Sequence, residues 1–139
     1  MRDCIFCKIV NGTEPASVVY SDDKAMAFMD TNPVNFGHVL VIPKVHVESM
    51  AKLDEETWAH LFRITIRIAK AVRKSGVKCE GINLFVADGK VASQDVFHFH
   101  VHIIPRFEGD GFALKANTKR VSRKELDNIA IDIRKVLEK

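Results

Sequence analysis

From Phe97 to Ile103 the chain reads Phe-His-Phe-His-Val-His-Ile, with an apolar residue at every odd position and a histidine at every even one. A period of two belongs to an extended strand, where successive side chains point to opposite faces; a helix would scatter the same residues around its circumference. The pattern predicts a strand over residues 96–104. It would bury Phe97, Phe99, Val101 and Ile103 and set His98, His100 and His102 in a row on the other face, about 6.6–6.8 Å apart. With six histidines in 139 residues, about 0.01 such triplets are expected by chance in the whole chain. That number argues against a solvent-facing strand that merely uses histidine. Joint metal binding by all three rings would need groups spread along one strand to converge on one ion. A row of imidazoles that spans one phosphate group and stays free to react with it accounts for the pattern.

Further strand signals lie at 18–20, 25–29, 39–42 and 82–86, where β-branched and aromatic residues gather between turn residues. Between the third and fourth of these five segments Asp54 is placed to cap a helix. Its Trp58, Leu61, Phe62, Ile68, Ala69 and Val72 recur at helical spacing, and Gly76 reads as its stop. Ile64 and Ile66 lie off that stripe and are expected to face solvent in an isolated chain. Ser122 and Glu125 have capping-box spacing ahead of a second stripe formed by Leu126, Ile129, Ala130, Ile133 and Val136. Strands joined by short loops, with helices set apart, predict an α+β fold: a five-stranded antiparallel sheet, one long central helix and a C-terminal helix. Asn11-Gly12, Asn32-Pro33, Asp88-Gly89 and Gly109-Asp110-Gly111 read as turns rather than linkers, so residues 1–139 are expected to form one domain.

Composition narrows the class of partner. Hydrophobic residues make up 47% and charged residues 28%, a globular balance that excludes disordered and fibrous classes. The net charge of +3 comes from basic and acidic residues dispersed along the chain, which argues against a nucleic-acid partner and suits a small phosphorylated ligand. No stretch approaches the ~20 apolar residues of a membrane helix, and the N-terminus does not read as a signal peptide. A cytoplasmic protein is expected. Three cysteines, two of them the close pair Cys4 and Cys7, are too few and too uneven for a disulfide scaffold.

Together with the histidine row, the segments Cys4-Ile5-Phe6-Cys7-Lys8-Ile9-Val10, Ala27-Phe28-Met29-Asp30, Gly37-His38-Val39-Leu40-Val41-Ile42-Pro43-Lys44 and 94–106 resemble the histidine triad (HIT) family in its bacterial form. The resemblance implies a HIT-like fold and a homodimer whose two five-stranded sheets join across a shared interface. It also implies a hydrolase or transferase acting at the α-phosphate of a purine nucleotide through a nucleotidyl-histidine. By that likeness His100 is the nucleophile, because neutral imidazole attacks phosphorus well near neutral pH, and its other ring nitrogen would donate to a backbone carbonyl. His102 would donate to a phosphate oxygen or the leaving group. Gln94 would help hold the α-phosphate, Asp30 would accept from the ribose hydroxyls or else cap the turn before Asn32-Pro33, and Ile5, Phe6, Ile9 and Phe28 would form the slot for the base. His38 matches a family histidine near the site and equally suits a buried hydrogen-bonded role. The substrates implied are nucleoside phosphoramidates and acyl nucleotidylates. Diadenosine polyphosphate hydrolysis and a nucleotide-binding or scaffolding role with weak activity stand as alternatives.

Cys4 and Cys7 have the C-x₂-C spacing of a zinc knuckle, and His46 and His98 can complete a Cys₂His₂ set around a structural zinc, as in some bacterial members of the family. A redox pair is disfavoured by the lack of a surrounding βαβ pattern, and two reduced thiols are the plain alternative. Cys79 and His60 read as incidental. Several positions depart from the family pattern: Ala87 stands where asparagine is frequent, Asp95 where a hydroxyl residue is common, and Glu14 and Thr31 where apolar residues flank the nucleoside. A carboxylate beside a bound phosphate repels it, so Asp95 either points away or goes with a cationic leaving group.

Overall fold

The computed structural model describes residues 3–137. Its centre is a sheet of β1 (Val18–Ser21), β2 (Ala25–Met29), β3 (Val39–Pro43), β4 (Gly81–Val86) and β5 (Val101–Arg106), in spatial order β1-β2-β3-β5-β4 with every neighbouring pair antiparallel. The predicted α+β architecture is thus observed. The central strands read as nearly unbroken apolar runs because both faces of the sheet are covered. Ala25, Ala27, Val39, Val41, Val101 and Ile103 pack toward α2 (Glu55–Lys74), whereas Met26, Phe28, Leu40 and Ile42 pack toward Phe6 of α1 (Ile5–Asn11).

Helix α2 starts where expected. The Asp54 carboxylate accepts from the Thr57 N–H at 3.3 Å and from its hydroxyl at 2.6 Å. It ends at Ser75, one residue before the predicted Gly76, where the Ser75 hydroxyl donates to the Val72 carbonyl at 2.7 Å. Leu61, Ile64, Thr65, Ile68 and Val72 form its buried face. Ile64 is only 2% exposed, so the expectation that it faces solvent is corrected; Ile66, at 46%, does face it. Positions 61, 64, 65, 68 and 72 follow one i, i+3/i+4 line, and the sheet below is wide enough to cover the whole of it.

Helix α1 was not anticipated, because its run of apolar and β-branched residues spans barely two turns and its cap is a cysteine. The Cys4 thiolate or thiol sulfur accepts from the Cys7 N–H at 3.4 Å. At the other end Gly12, with φ of +80°, lets its N–H reach the Ile9 carbonyl at 3.1 Å while the Thr13 N–H reaches Lys8 at 2.9 Å, a Schellman stop.

The histidine strand is shorter than predicted, since β5 begins at Val101. Continuing the β3–β5 register would set Pro43 opposite Phe99, and Pro43 has no N–H to give. The extended chain before β5 is held instead by the Phe99 N–H donating to the Val47 carbonyl at 2.7 Å. Phe99, Val101 and Ile103 are buried as the alternation requires, but Phe97 lies beyond the sheet and is 45% exposed. α3 (Arg123–Leu137) carries the predicted capping box, with the Glu125 N–H donating to Ser122 Oγ at 3.1 Å and the Ser122 N–H donating to the Glu125 carboxylate at 2.9 Å. None of its described residues is buried.

Candidate active site

Histidines 98, 100 and 102 leave the sheet on the side of α1, opposite the face that packs on α2. Phe6 stands among them, edge-on to Phe28 at 5.4 Å, to His98 at 5.7 Å and to His100 at 5.2 Å. The α1 side chains Ile5, Phe6 and Ile9 and the β2 residues Phe28, Met29 and Asp30 enclose a cleft of about 350 Å³ that ends at His100 and His102. That volume is within the range of small-ligand sites, and its apolar wall with a few convergent polar groups is their usual character. A larger hollow of about 800 Å³, bounded by residues 33–36, 76–78 and Phe107, contains no histidine or cysteine.

The hydrogen bonds assign a tautomer to each ring. A backbone carbonyl only accepts, so the 2.8 Å contact between His100 Nδ1 and the His98 carbonyl puts a proton on Nδ1, and in the neutral ring the lone pair is on Nε2. On the other side of the cleft the Val34 N–H donates to His38 Nδ1 at 3.0 Å. Burial holds His38 below its ordinary pKa, and neutral His38 therefore carries its proton on Nε2, which donates to His102 Nδ1 at 2.9 Å. The remaining proton of His102 is on Nε2. Burial, with the neighbouring His100 and His38 rings, pushes the His102 pKa down to about 4, so this arrangement persists at neutral pH. The chain thus presents one ring nitrogen that can attack and one that donates.

Gly37 makes the His38 contact possible. Its φ is +96°, and a Cβ there would meet Val77 Cγ1 at 2.6 Å, so the backbone passes against the α2–β4 connection only because the residue has no side chain. Asp30 serves two partners: Oδ1 accepts from the Asn32 N–H at 2.8 Å, capping the turn, while Oδ2 lies 3.4 Å from His38 Nε2 and faces the cleft. Glu14 and Thr31 line the cleft too, together with Pro15 and Ala16, which no sequence signal marked.

Gln94 is placed differently from the expectation. Its Nε2 hydrogens donate to the Glu48 carbonyl at 2.7 Å and the Val96 carbonyl at 3.2 Å, and its Oε1 accepts from the Gly89 N–H at 2.8 Å. It is buried and does not line the cleft. With both donor hydrogens engaged by backbone, the carboxamide holds the loop that carries Asp95. Asp95 is exposed at the cleft rim, its Oδ1 3.5 Å from His100 Nε2. Ala87 is buried outside the cleft lining.

A second cluster lies behind Phe6. Cys4 Sγ is 3.5 Å from His98 Nδ1, and Cys7 Sγ is 3.3 Å from His46 Nδ1 and 3.7 Å from His98 Nδ1. Tetrahedral bonds of about 2.3 Å to sulfur and 2.0–2.1 Å to nitrogen set ligand atoms about 3.5 Å apart, so the four residues fit one divalent ion. His98 Nε2–H donates to the Pro43 carbonyl at 2.7 Å, which turns the bare Nδ1 toward the two thiols. Burial pushes the His98 pKa down to about 4, keeping it in the neutral form a metal needs. Cys79 donates to the Gly81 carbonyl at 3.3 Å, apart from this cluster. His60, read as incidental, bonds Asp22 at 2.6 Å and ties α2 to the β1–β2 turn.

A cleft lined by imidazoles of fixed tautomer, set beside a Cys₂His₂ cluster on a five-stranded antiparallel sheet, defines a histidine triad protein. The HIT domain matches residues 11–109, and the chain belongs to the HIT family. A HIT family protein of Bacillus subtilis has the same fold, with a TM-score of 0.90 at 39% identity over 96% of both chains. A crystal structure described as a Zn-bound histidine triad family protein from Mycobacterium smegmatis matches with a TM-score of 0.76 at 36% identity, covering 94% of this chain and 97% of that one. Adenylylsulfatase HINT3 of Arabidopsis thaliana is 37% identical over 123 residues, 88% of this chain and 62% of that protein.

Proposed function

We propose that the chain is a purine nucleotide hydrolase that cleaves nucleoside phosphoramidates and related α-phosphate conjugates through His100. The observation that carries this reading is the pair of rings: a buried His100 whose Nδ1–H is held by the His98 carbonyl, so that its other nitrogen, Nε2, is the one left for a ligand, beside a His102 Nε2–H, at the end of an apolar cleft with a carboxylate at its rim. In the first step the His100 Nε2 lone pair attacks the α-phosphorus. A phosphorus–nitrogen bond forms, and the bond to the leaving group breaks, the leaving group keeping the electron pair and taking a proton from solvent water. Water then attacks the same phosphorus and breaks the phosphorus–nitrogen bond, its oxygen staying in the released nucleoside monophosphate, one of its protons passing to solvent and the bond pair returning to Nε2. Neutral His102 supplies a hydrogen bond to a phosphate oxygen throughout. Ile5, Phe6, Ile9 and Phe28 hold the base, and Asp30 Oδ2 accepts from the ribose. The adenylylsulfatase relative supports a nucleotide at this site.

Zinc at Cys4, Cys7, His46 and His98 would clip α1, and with it the base slot, to the segment before β5. The Zn-bound relative supports that metal. Its part is structural, since all four donors are protein groups. A homodimer is the expected assembly: Leu84 and Phe85 on the edge strand β4, Ile66 on α2, and Ile129, Ile133 and Val136 on α3 are apolar and exposed in the single chain. No helix among the described residues is long and apolar enough to cross a membrane, and a cytoplasmic location suits reduced metal-binding thiols.

The test is a turnover screen of adenosine and guanosine phosphoramidates beside diadenosine polyphosphates. A burst of leaving group, with a nucleotidyl adduct on the protein by mass spectrometry, is expected with the phosphoramidates. Tight nucleotide binding without turnover would establish the binding or scaffolding alternative instead.

A further inference from the structure

Asp95 is the carboxylate nearest to the attacking nitrogen assigned above, with Oδ1 3.5 Å from His100 Nε2 and a side chain 76% exposed. It is not a loose surface charge. Its Oδ1 accepts from the Val96 N–H at 2.9 Å, and the preceding residue, Gln94, is pinned by three backbone hydrogen bonds. Asp95 also stands on a boundary. On one side is the cleft that ends at His100 and His102, and on the other a groove of about 490 Å³ that shares Ile5, Asp95 and Val96 with it. That groove also presents Asp3, Glu48 and Lys8, and the Lys8 ammonium is already engaged by Asp3 at 3.1 Å. Asp95 therefore sets a held negative charge at the rim shared by the two hollows, within Coulomb range of a charged tail on a conjugate bound at His100.

We propose that Asp95 is a specificity residue for the leaving group: it favours nucleotide conjugates whose leaving group carries an ammonium, and disfavours those that release a phosphate, a sulfate or a carboxylate-bearing amine. The inference rests on the hydrolase reading above and narrows its substrate class. A unit charge about 5 Å away across partly screened surface changes a rate constant about tenfold, so exchanging an ammonium for an anion changes it about 100-fold, and salt shrinks the difference. A purely structural Asp95 would alter all substrates alike, and its effect would not follow the sign of charge on a distant tail.

The experiment uses the full chain with three adenosine 5′-phosphoramidates that are identical except for an ammonium, hydroxyl or carboxylate tail, and adenosine 5′-phosphosulfate as a fourth substrate. In the wild type kcat/KM should fall from ammonium through hydroxyl to the anions by about 100-fold at low salt, and by less at physiological salt. Asp95→Asn should compress that spread to about threefold, chiefly through faster anionic substrates, and Asp95→Glu should keep the order. A wild type without charge preference, or an Asp95→Asn variant that retains it, overturns the proposal. A wild type that turns over none of the four sinks the hydrolase reading instead. The charge preference is then read from the Kd of methylene phosphonate analogues with the same three tails, which must show the same order and the same compression for the assignment to stand.

Discussion

Replacing His100 by alanine tests the centre of the mechanism, and the structure sets the size of each effect. The ring is 3% exposed, packed edge-on against Phe6 at 5.2 Å, and its Nδ1–H satisfies the His98 carbonyl at 2.8 Å. Removing it leaves a small cavity and a buried carbonyl without its donor, a cost of about 2–3 kcal/mol. For a domain of this length that lowers Tm by roughly 6–12 °C and leaves the protein folded at 25 °C. The base wall and Asp30 are untouched, so the affinity for a nucleoside monophosphate should change by no more than about tenfold, or about 1.4 kcal/mol. Turnover should fall by ~10⁴ or more, because the attacking lone pair of the covalent step is removed. His102→Ala, which removes a hydrogen-bond donor only, should cost ~10²–10⁴. The assay is single-turnover release of the leaving group, with calorimetric binding of the monophosphate as the control for folding. A His100→Ala protein that binds normally and turns over within tenfold of wild type, or a wild-type adduct mapped to His98 or His102, refutes the assignment.

Four further outcomes are expected. His38→Ala removes the donor that fixes the His102 proton on Nε2, and kcat should drop ~10–100-fold with KM little changed; a change confined to KM would show that His38 acts on binding alone. Protein purified without chelators should hold one zinc per Cys4–Cys7–His46–His98 cluster, and Cys4→Ser should lower both metal content and Tm; metal-free protein with an unaltered Tm removes the site. His102 titrates near 4 when folded and near 6.5 when unfolded, so the unfolded chain takes up the proton first as pH falls. Stability should then be full above about pH 7 and decline by up to roughly 3 kcal/mol down to pH 4, with His38 acting in the same direction, whereas Asp22, held down by its hydrogen bonds, and the Arg106-paired Asp110 lose most of their contribution below that window; urea midpoints flat from pH 7 to 4 would contradict it. Light scattering at micromolar concentration should give twice the 15.7 kDa mass of one chain, and a stable monomer would argue against the shared interface.

Local rules made much of this protein legible before any tertiary structure. Alternation at 97–103 and the runs in β2 and β3 are properties of a pleated backbone, and the Asp54 and Ser122–Glu125 caps satisfy amide groups only three residues away, so residue order alone determines them. The donor types of the metal cluster, and the match of the 94–106 segment to the histidine triad, were visible for the same reason. What residue order could not determine is which groups meet through space. The His38–His102 bond joins residues 64 apart, and the tautomer of the second ring is decided by a backbone N–H beside the first. Whether Ile64 is core or surface depends on the breadth of the sheet beneath α2, and where β5 begins depends on a proline in its neighbour. That Gln94 holds its own loop and that the exposed Asp95 carboxylate lies 3.5 Å from the His100 ring depend on the packing of residues 89–96 against the Glu48 carbonyl. The sequence alone determined the inventory of reactive groups, because spacing is local. Only the tertiary structure decided their protonation and direction, because those are set by partners brought together from distant parts of the chain.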